Sequence, residues 1–237
     1  MKGYLAVPNP FPFRAGYAAI LLVLCSLLAF QGIAQADSAG SPFPEPGSYQ
    51  LYRIQKVPDA YVLEHSSWWP RSLSTYASGK VTLLSFFYAT CRDPTGCPVI
   101  WSSFETIHAE ILDDPKLHGK VRLVMISLDP SLDTPERLEL FSFARRSTHE
   151  DAPWHFLTTW SESYLAPILK ELGQAAGREL DAYGEPTQFI THQVKFFLID
   201  ESSWVREIYT SGFFSPEVAL NDIKTLLLEE KKTGKPD

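Results

Sequence analysis

Apolar positions recur with two alternating periods along most of the chain. Val81 to Phe87 is a short, nearly continuous apolar run rich in aromatics, which predicts a strand buried on both faces of a sheet. After a polar turn, Ile100, Phe104, Ile107 and Ile111 recur at helical spacing, and Pro98 is placed at the first helical position. Val121–Leu128 predicts a second strand. The helix after it opens with Thr134 as N-cap, Pro135 at the first position and Glu136 in the first turn, with Leu138, Leu140, Phe141 and Ala144 as its core face. Trp154–Thr158 is a third strand, and Ser161 caps a helix over Tyr164–Leu172 that Gly173 ends. Residues 174–191 are polar and without period, and predict a long irregular loop. Val194–Asp200 and Trp204–Thr210 predict an antiparallel pair across Glu201. Ser215-Pro216-Glu217 then opens a last amphipathic helix with Leu220, Ile223 and Leu227 inward.

Ahead of the central strand, Ala60–Leu63 and Arg71–Leu73 predict a short hairpin around residues 65–70, where Trp68 and Trp69 are read as packing residues. The order βαβαβα followed by ββα argues for an α/β domain with helices on both faces of the sheet. Sites in such sheets lie at the carboxyl ends of the parallel strands.

The N-terminus changes the setting. Lys2 and Arg14 precede an apolar run from Tyr17 to Phe30, and Ala34-Gln35-Ala36 follows. Residues 1–36 therefore read as a secretory signal peptide, with an uncleaved membrane anchor as the alternative. Cys25 lies in this run after Leu24, which argues against a lipoprotein cleavage site. Residues 37–57, with Ser-Pro-Phe-Pro-Glu-Pro-Gly-Ser, read as a linker, 58–231 as the domain and 232–237 as a tail. Taking Lys2 and Arg14 from the 21 basic residues leaves 19 against 28 acidic, a net charge of −9. That disfavours nucleic acid and anionic membrane surfaces as partners.

Without the leader, Cys91 and Cys97 are the remaining thiols. Both fall between the end of a strand and the start of a helix, where the positive end of the helix favours a thiolate. Such a pair can attack another disulfide, bind a soft metal, or form a structural bridge in an exported protein.

Several segments together resemble the Sco/SenC family. They are Gly79-Lys80-Val81 leading into Ser85–Cys91, then Cys97-Pro98, Ile126-Ser127-Leu128-Asp129-Pro130 with Asp133-Thr134-Pro135-Glu136, Trp154–Thr158, and His192 just before Val194–Asp200. The likeness covers roughly residues 58–230. The Asp-Pro…Asp-Thr-Pro-Glu segment is its most specific match, and is read as a mark of the scaffold and not of the chemistry. The resemblance implies a thioredoxin-like fold with a central mixed sheet. It also implies a copper ion held by Cys91, Cys97 and His192, delivered to the copper-receiving subunit of a respiratory oxidase or another cuproprotein. An exported, periplasmic location follows, with inner-membrane attachment through the N-terminal segment as a variant. One feature departs from the family: its usual Cys-x-x-x-Cys is extended here by Pro94-Thr95-Gly96 to Cys-x5-Cys, with Asp93 kept two residues after the first cysteine. The alternative is a thiol–disulfide oxidoreductase acting through Cys91 and Cys97 on a partner cuproprotein. His65, His108, His118, His149 and His155 are read as surface or capped residues.

Overall fold

The computed structural model describes residues 42–94, 96–145 and 150–232. The export segment, the last five residues and His149 lie outside them. In chain order the elements are β1 (Gln55–Lys56), β2 (Tyr61–Glu64), β3 (Arg71–Ser72), α1 (Ser74–Ala77), β4 (Val81–Phe87), α2 (Gly96–Asp113), β5 (Val121–Ser127), α3 (Pro135–Ser142), β6 (Trp154–Thr158), α4 (Glu162–Glu171), β7 (Ala176–Leu180), β8 (Pro186–His192), β9 (Lys195–Ile199), β10 (Trp204–Thr210) and α5 (Pro216–Lys232).

Eight strands form one mixed sheet in the order β1-β10-β9-β4-β5-β6-β2-β3. β4, β5 and β6 run parallel at its centre, while β9 pairs antiparallel with β4 and β10 antiparallel with β9. Every residue of β4 and β5 is buried, as strands covered on both faces require. Side chains alternate between two cores. Val81, Leu83 and Phe87 join Ile100, Phe104, Ile107 and Ile111 of α2 and Leu220, Ile223 and Leu227 of α5. Leu84, Phe86 and Tyr88 join Leu165, Ile168 and Leu172 on the other side. The expected α/β architecture with helices on both faces is what forms.

Local expectations hold in part. The Thr134 hydroxyl accepts from the Arg137 N–H, with Pro135 at the first helical position. Ser161 occupies the N-cap of α4, but its hydroxyl bonds Ser163. Gly173 ends that helix with φ of +63°, a left-handed turn that a Cβ would strain. In α3, Leu138 is buried but Leu140 is 81% exposed, and Ala144 lies beyond the helix, which stops at Ser142. Leu138 and Ser142 are buried and Phe141 partly so, which defines one face, and 140 is on the opposite side of so short a helix. Trp69 is 82% exposed and Trp68 half-exposed, donating its indole N–H to Glu136, so neither packs into the core as expected.

Two segments acquire order that their polarity concealed. Residues 174–192 form the hairpin β7–β8, a two-stranded sheet separate from the main one, in place of the irregular loop. Its turn is held by Asp181, whose Oδ1 accepts from the N–H groups of Tyr183 and Glu185. Part of the stretch expected as a tether packs onto the domain: β1 pairs with β10, and Leu51 is buried. Tyr49 donates to Asp222 and the Gly47 N–H to Thr225, both on α5.

Candidate metal and dithiol site

The site lies where β4 runs out at the carboxyl end of the parallel strands. Tyr88 remains buried, and the chain then turns, with the Cys91 N–H donating to the Tyr88 carbonyl at 3.2 Å. The Ala89 N–H donates to Asp133 Oδ2 at 3.0 Å, and that oxygen also accepts from the Ser127 hydroxyl at 2.6 Å. Burial pushes the Asp133 carboxyl above its ordinary range, against the pull of these two donors. Asp133 therefore pins the strand-to-cysteine turn from the neighbouring loop.

Cys91 and Cys97 form a disulfide with Cα atoms 6.6 Å apart, within the span a bridge needs. α2 begins at Gly96, so Cys97 is its second residue and Pro98 its third, two positions later than the sequence suggests. Proline is tolerated there because the first N–H groups of a helix have no intrahelical partner. Cys97 remains at the positive end of α2. Gly96 starts this helix close to Asp93 and Val194. A Cβ at that position would come within 2.5 Å of Asp93 Oδ2 and 3.2 Å of Val194 Cγ2. The glycine thus lets the helix start lie close to the Asp93 carboxylate and to Val194, the residue just before β9.

His192 is the last residue of β8. It and Cys91 line one open cleft of about 410 Å³, together with Tyr88, Asp93 and Glu179. The ring packs edge-on to Tyr88 with centroids 6.2 Å apart. Burial holds its pKa below the ordinary value, while the Gln193 backbone and the charge of Asp93 pull the other way. The imidazole is accordingly neutral near pH 7, the form that binds metal. Its Nδ1 is buried without a hydrogen-bond partner. The hydrogen bond that usually orients a ligand histidine does not reach that nitrogen.

Two thiols and an imidazole are a donor set suited to a soft or borderline ion such as Cu(I). In the disulfide state the sulfurs are joined to each other. Among the described residues no group of three His, Cys, Asp or Glu is positioned to hold a metal ion. Copper would therefore require reduction of the bridge first. The other described histidines, His65 among them, lie outside this cleft: His155 Nδ1 is bonded to Glu64, His108 to the Ala152 carbonyl and His118 to the Leu112 carbonyl.

The sequence did not single out the contacts that hold the hairpin beside the cysteines. Arg178 of β7 donates to Asp129 Oδ1 at 2.9 Å and to Glu162 Oε1 at 3.0 Å. Arg92 of the cysteine turn lies over the Phe189 ring of β8 at 5.4 Å. Asp129 was visible only as part of the Asp-Pro segment, 49 residues from its partner.

The family model SCO1/SenC matches residues 72–228. The SCO1 protein homolog of Bacillus subtilis (strain 168) is 23% identical over 148 residues, covering 62% of this chain and 71% of that protein. Bradyrhizobium japonicum ScoI, solved with copper bound, superposes with a TM-score of 0.57 at 20% identity, over 73% of this chain and 99% of its own. BsSco, described as a cytochrome c oxidase assembly protein with a disulfide switch, superposes with a TM-score of 0.54 at 19% identity, over 77% and 98%. At such identities the superpositions establish the thioredoxin-like fold.

Proposed function

Since the chain belongs to the SCO1/SenC family, we propose that it is a copper-binding assembly factor that carries copper to the copper site of a respiratory oxidase. The observation that carries this reading is the cleft shared by Cys91 and His192, with Cys97 bonded to the former. The imidazole there is kept neutral by burial, the form in which it can bind a metal. Copper is the cargo, and Cys91, Cys97 and His192 are its proposed ligands.

The disulfide makes uptake conditional. A dithiol of a partner protein supplies two electrons and two protons to the bridge and is itself oxidised to a disulfide, leaving the Cys91 and Cys97 thiols. Cu(I) binding then displaces the thiol protons. The helix terminus beside Cys97 lowers the cost of each thiolate. On this reading residues 1–36 act as an export signal that takes the protein out of the cytoplasm, or as an inner-membrane anchor where uncleaved.

A second reading is a thiol–disulfide oxidoreductase acting on a partner cuproprotein, favoured by the bridge closing across a wide, partly exposed turn. Anaerobic copper titration of the reduced protein, run beside dithiol exchange kinetics, separates the two. For a carrier, His192→Ala loses most of the copper and keeps its exchange rate. Undiminished copper in that variant sinks the three-ligand model. A wild type that exchanges readily but holds no copper favours the reductase.

A further inference from the structure

We propose that Asp129 is a positioning residue for His192, acting through Arg178, so that one loop sets both halves of the site. This rests on the ligand reading above. The cysteines and the histidine stand on parts of very different stiffness. Cys91 follows β4, whose seven residues are all buried and paired on both sides. His192 ends a hairpin whose strands hydrogen-bond only to each other, and most of whose residues are exposed. A two-stranded hairpin is marginal alone, so side-chain ties must orient it.

Few such ties exist at the β7 side. Arg178 is the charged one, and its two carboxylates differ in worth. Glu162 has a side chain 64% exposed, and a solvated pair of that kind contributes little. The Asp129 side chain is 1% exposed. Its Oδ1 accepts from Arg178, from the Ser131 hydroxyl at 2.5 Å and from the Leu132 N–H at 3.3 Å. Its Oδ2 is buried without a partner. Arg178 is thus the cation that answers a buried carboxylate, and removing it leaves that charge uncompensated. Four residues on, Asp133 holds the Ala89 N–H two residues before Cys91. The loop 129–133 touches both the thiol turn and the imidazole hairpin, and fixes the gap between them. Elsewhere on the hairpin, Gln174 donates to the Gln193 carbonyl at 2.8 Å and Ile190 is buried. Ile190 stands opposite Arg178 in the ladder, and Arg92 over Phe189 and Tyr88 against His192 tie β8 to the cysteine turn, so Arg178 is the charged tie that β7 adds to these.

The test uses Arg178→Ala, Arg178→Lys and Glu162→Gln in the full chain. Amide hydrogen exchange of the oxidised, copper-free protein is read first. In Arg178→Ala, residues 176–192 should exchange about tenfold faster while β4 and β5 keep their protection, which also certifies folding. Arg178→Lys, which still reaches Asp129, should recover most of it, and Glu162→Gln should change little. X-ray absorption of the reduced, Cu(I)-loaded protein is read second. Arg178→Ala should lose the nitrogen neighbour, keep both sulfurs, and bind copper roughly 10- to 100-fold more weakly, at an unchanged dithiol exchange rate. Unaltered exchange over 176–192 in Arg178→Ala overturns the proposal, as does an effect of Glu162→Gln equal to that of Arg178→Ala. A wild type that takes up no copper overturns the ligand reading alone, and the hydrogen-exchange result still decides the tie.

Discussion

Glu64 Oε1 stands 2.7 Å from His155 Nδ1, and Glu64 Oε2 accepts from the Tyr76 hydroxyl at 3.1 Å. The three side chains join β2, β6 and α1 at the sheet edge nearest the exposed tryptophans. Burial raises the Glu64 pKa, but the hydrogen bonds and the charge of His155 outweigh it and leave the carboxyl below its ordinary value of 4.5.

That shift has a definite sign. A carboxyl held lower in the folded state contributes stability that is fully present above pH 4.5 and is lost as pH falls through the folded value. Melting temperature should therefore drop on acidification below that point, and Glu64→Gln should show a shallower drop. At pH 7 the variant should cost about 1–3 kcal/mol, from the lost charge-assisted bonds. Equal acid sensitivity in both proteins would contradict this.

Gly96→Ala should destabilise the protein by about 1 kcal/mol, chiefly because the new methyl presses on buried Val194, while the Asp93 carboxylate can swing aside. Val194→Ala in the same chain should recover part of that loss by removing the obstacle that cannot turn aside. Denaturant midpoints of the two single variants and the double give the coupling, and strict additivity would refute the steric account.

Copper affinity of the reduced protein should fall with pH in two stages. Protons compete with copper for the two sulfurs, which sets one stage of the decline. His192, depressed below 6.5 by burial, competes with protons only under that value. In His192→Ala the histidine stage should vanish while the sulfur stage remains. Competition titrations from pH 8 to 5 check both limbs.

Phe104 is fully buried, stacking on Trp154 and Phe196 between α2 and the sheet. Phe104→Ala should lower stability by about 3–5 kcal/mol, seen in urea unfolding. The Cys91–Cys97 bridge should still form, since its turn is held from Asp133 and Tyr88.

Much of this was legible in the chain. A buried run such as Val81–Phe87 and a stripe such as Ile100, Phe104, Ile107 and Ile111 betray their elements, because burial imposes the period directly. The cysteines declared themselves by chemistry, and His192 through family resemblance. The hairpin left no such trace. β7 has no buried residue and β8 has one, Ile190, so no alternation of apolar and polar positions marks them as strands. Arg178 and Asp129 are ordinary residue types whose meaning lies in a pairing across 49 positions, which a local pattern does not encode. Leu140 and Trp69 misled for the converse reason: apolarity predicts burial only where another surface arrives to cover it.

The packing of residues 47–57 bears on how the domain responds to force. Gly47 and Tyr49 are bonded to α5, the Leu51 carbonyl accepts from Arg206, and β1 lies along β10. Tension on the N-terminal side of the chain is delivered to α5 and the β10 edge before any other element. The cysteine turn, across β9 and β4 from that edge, is shielded from the load until the stapled segment peels away.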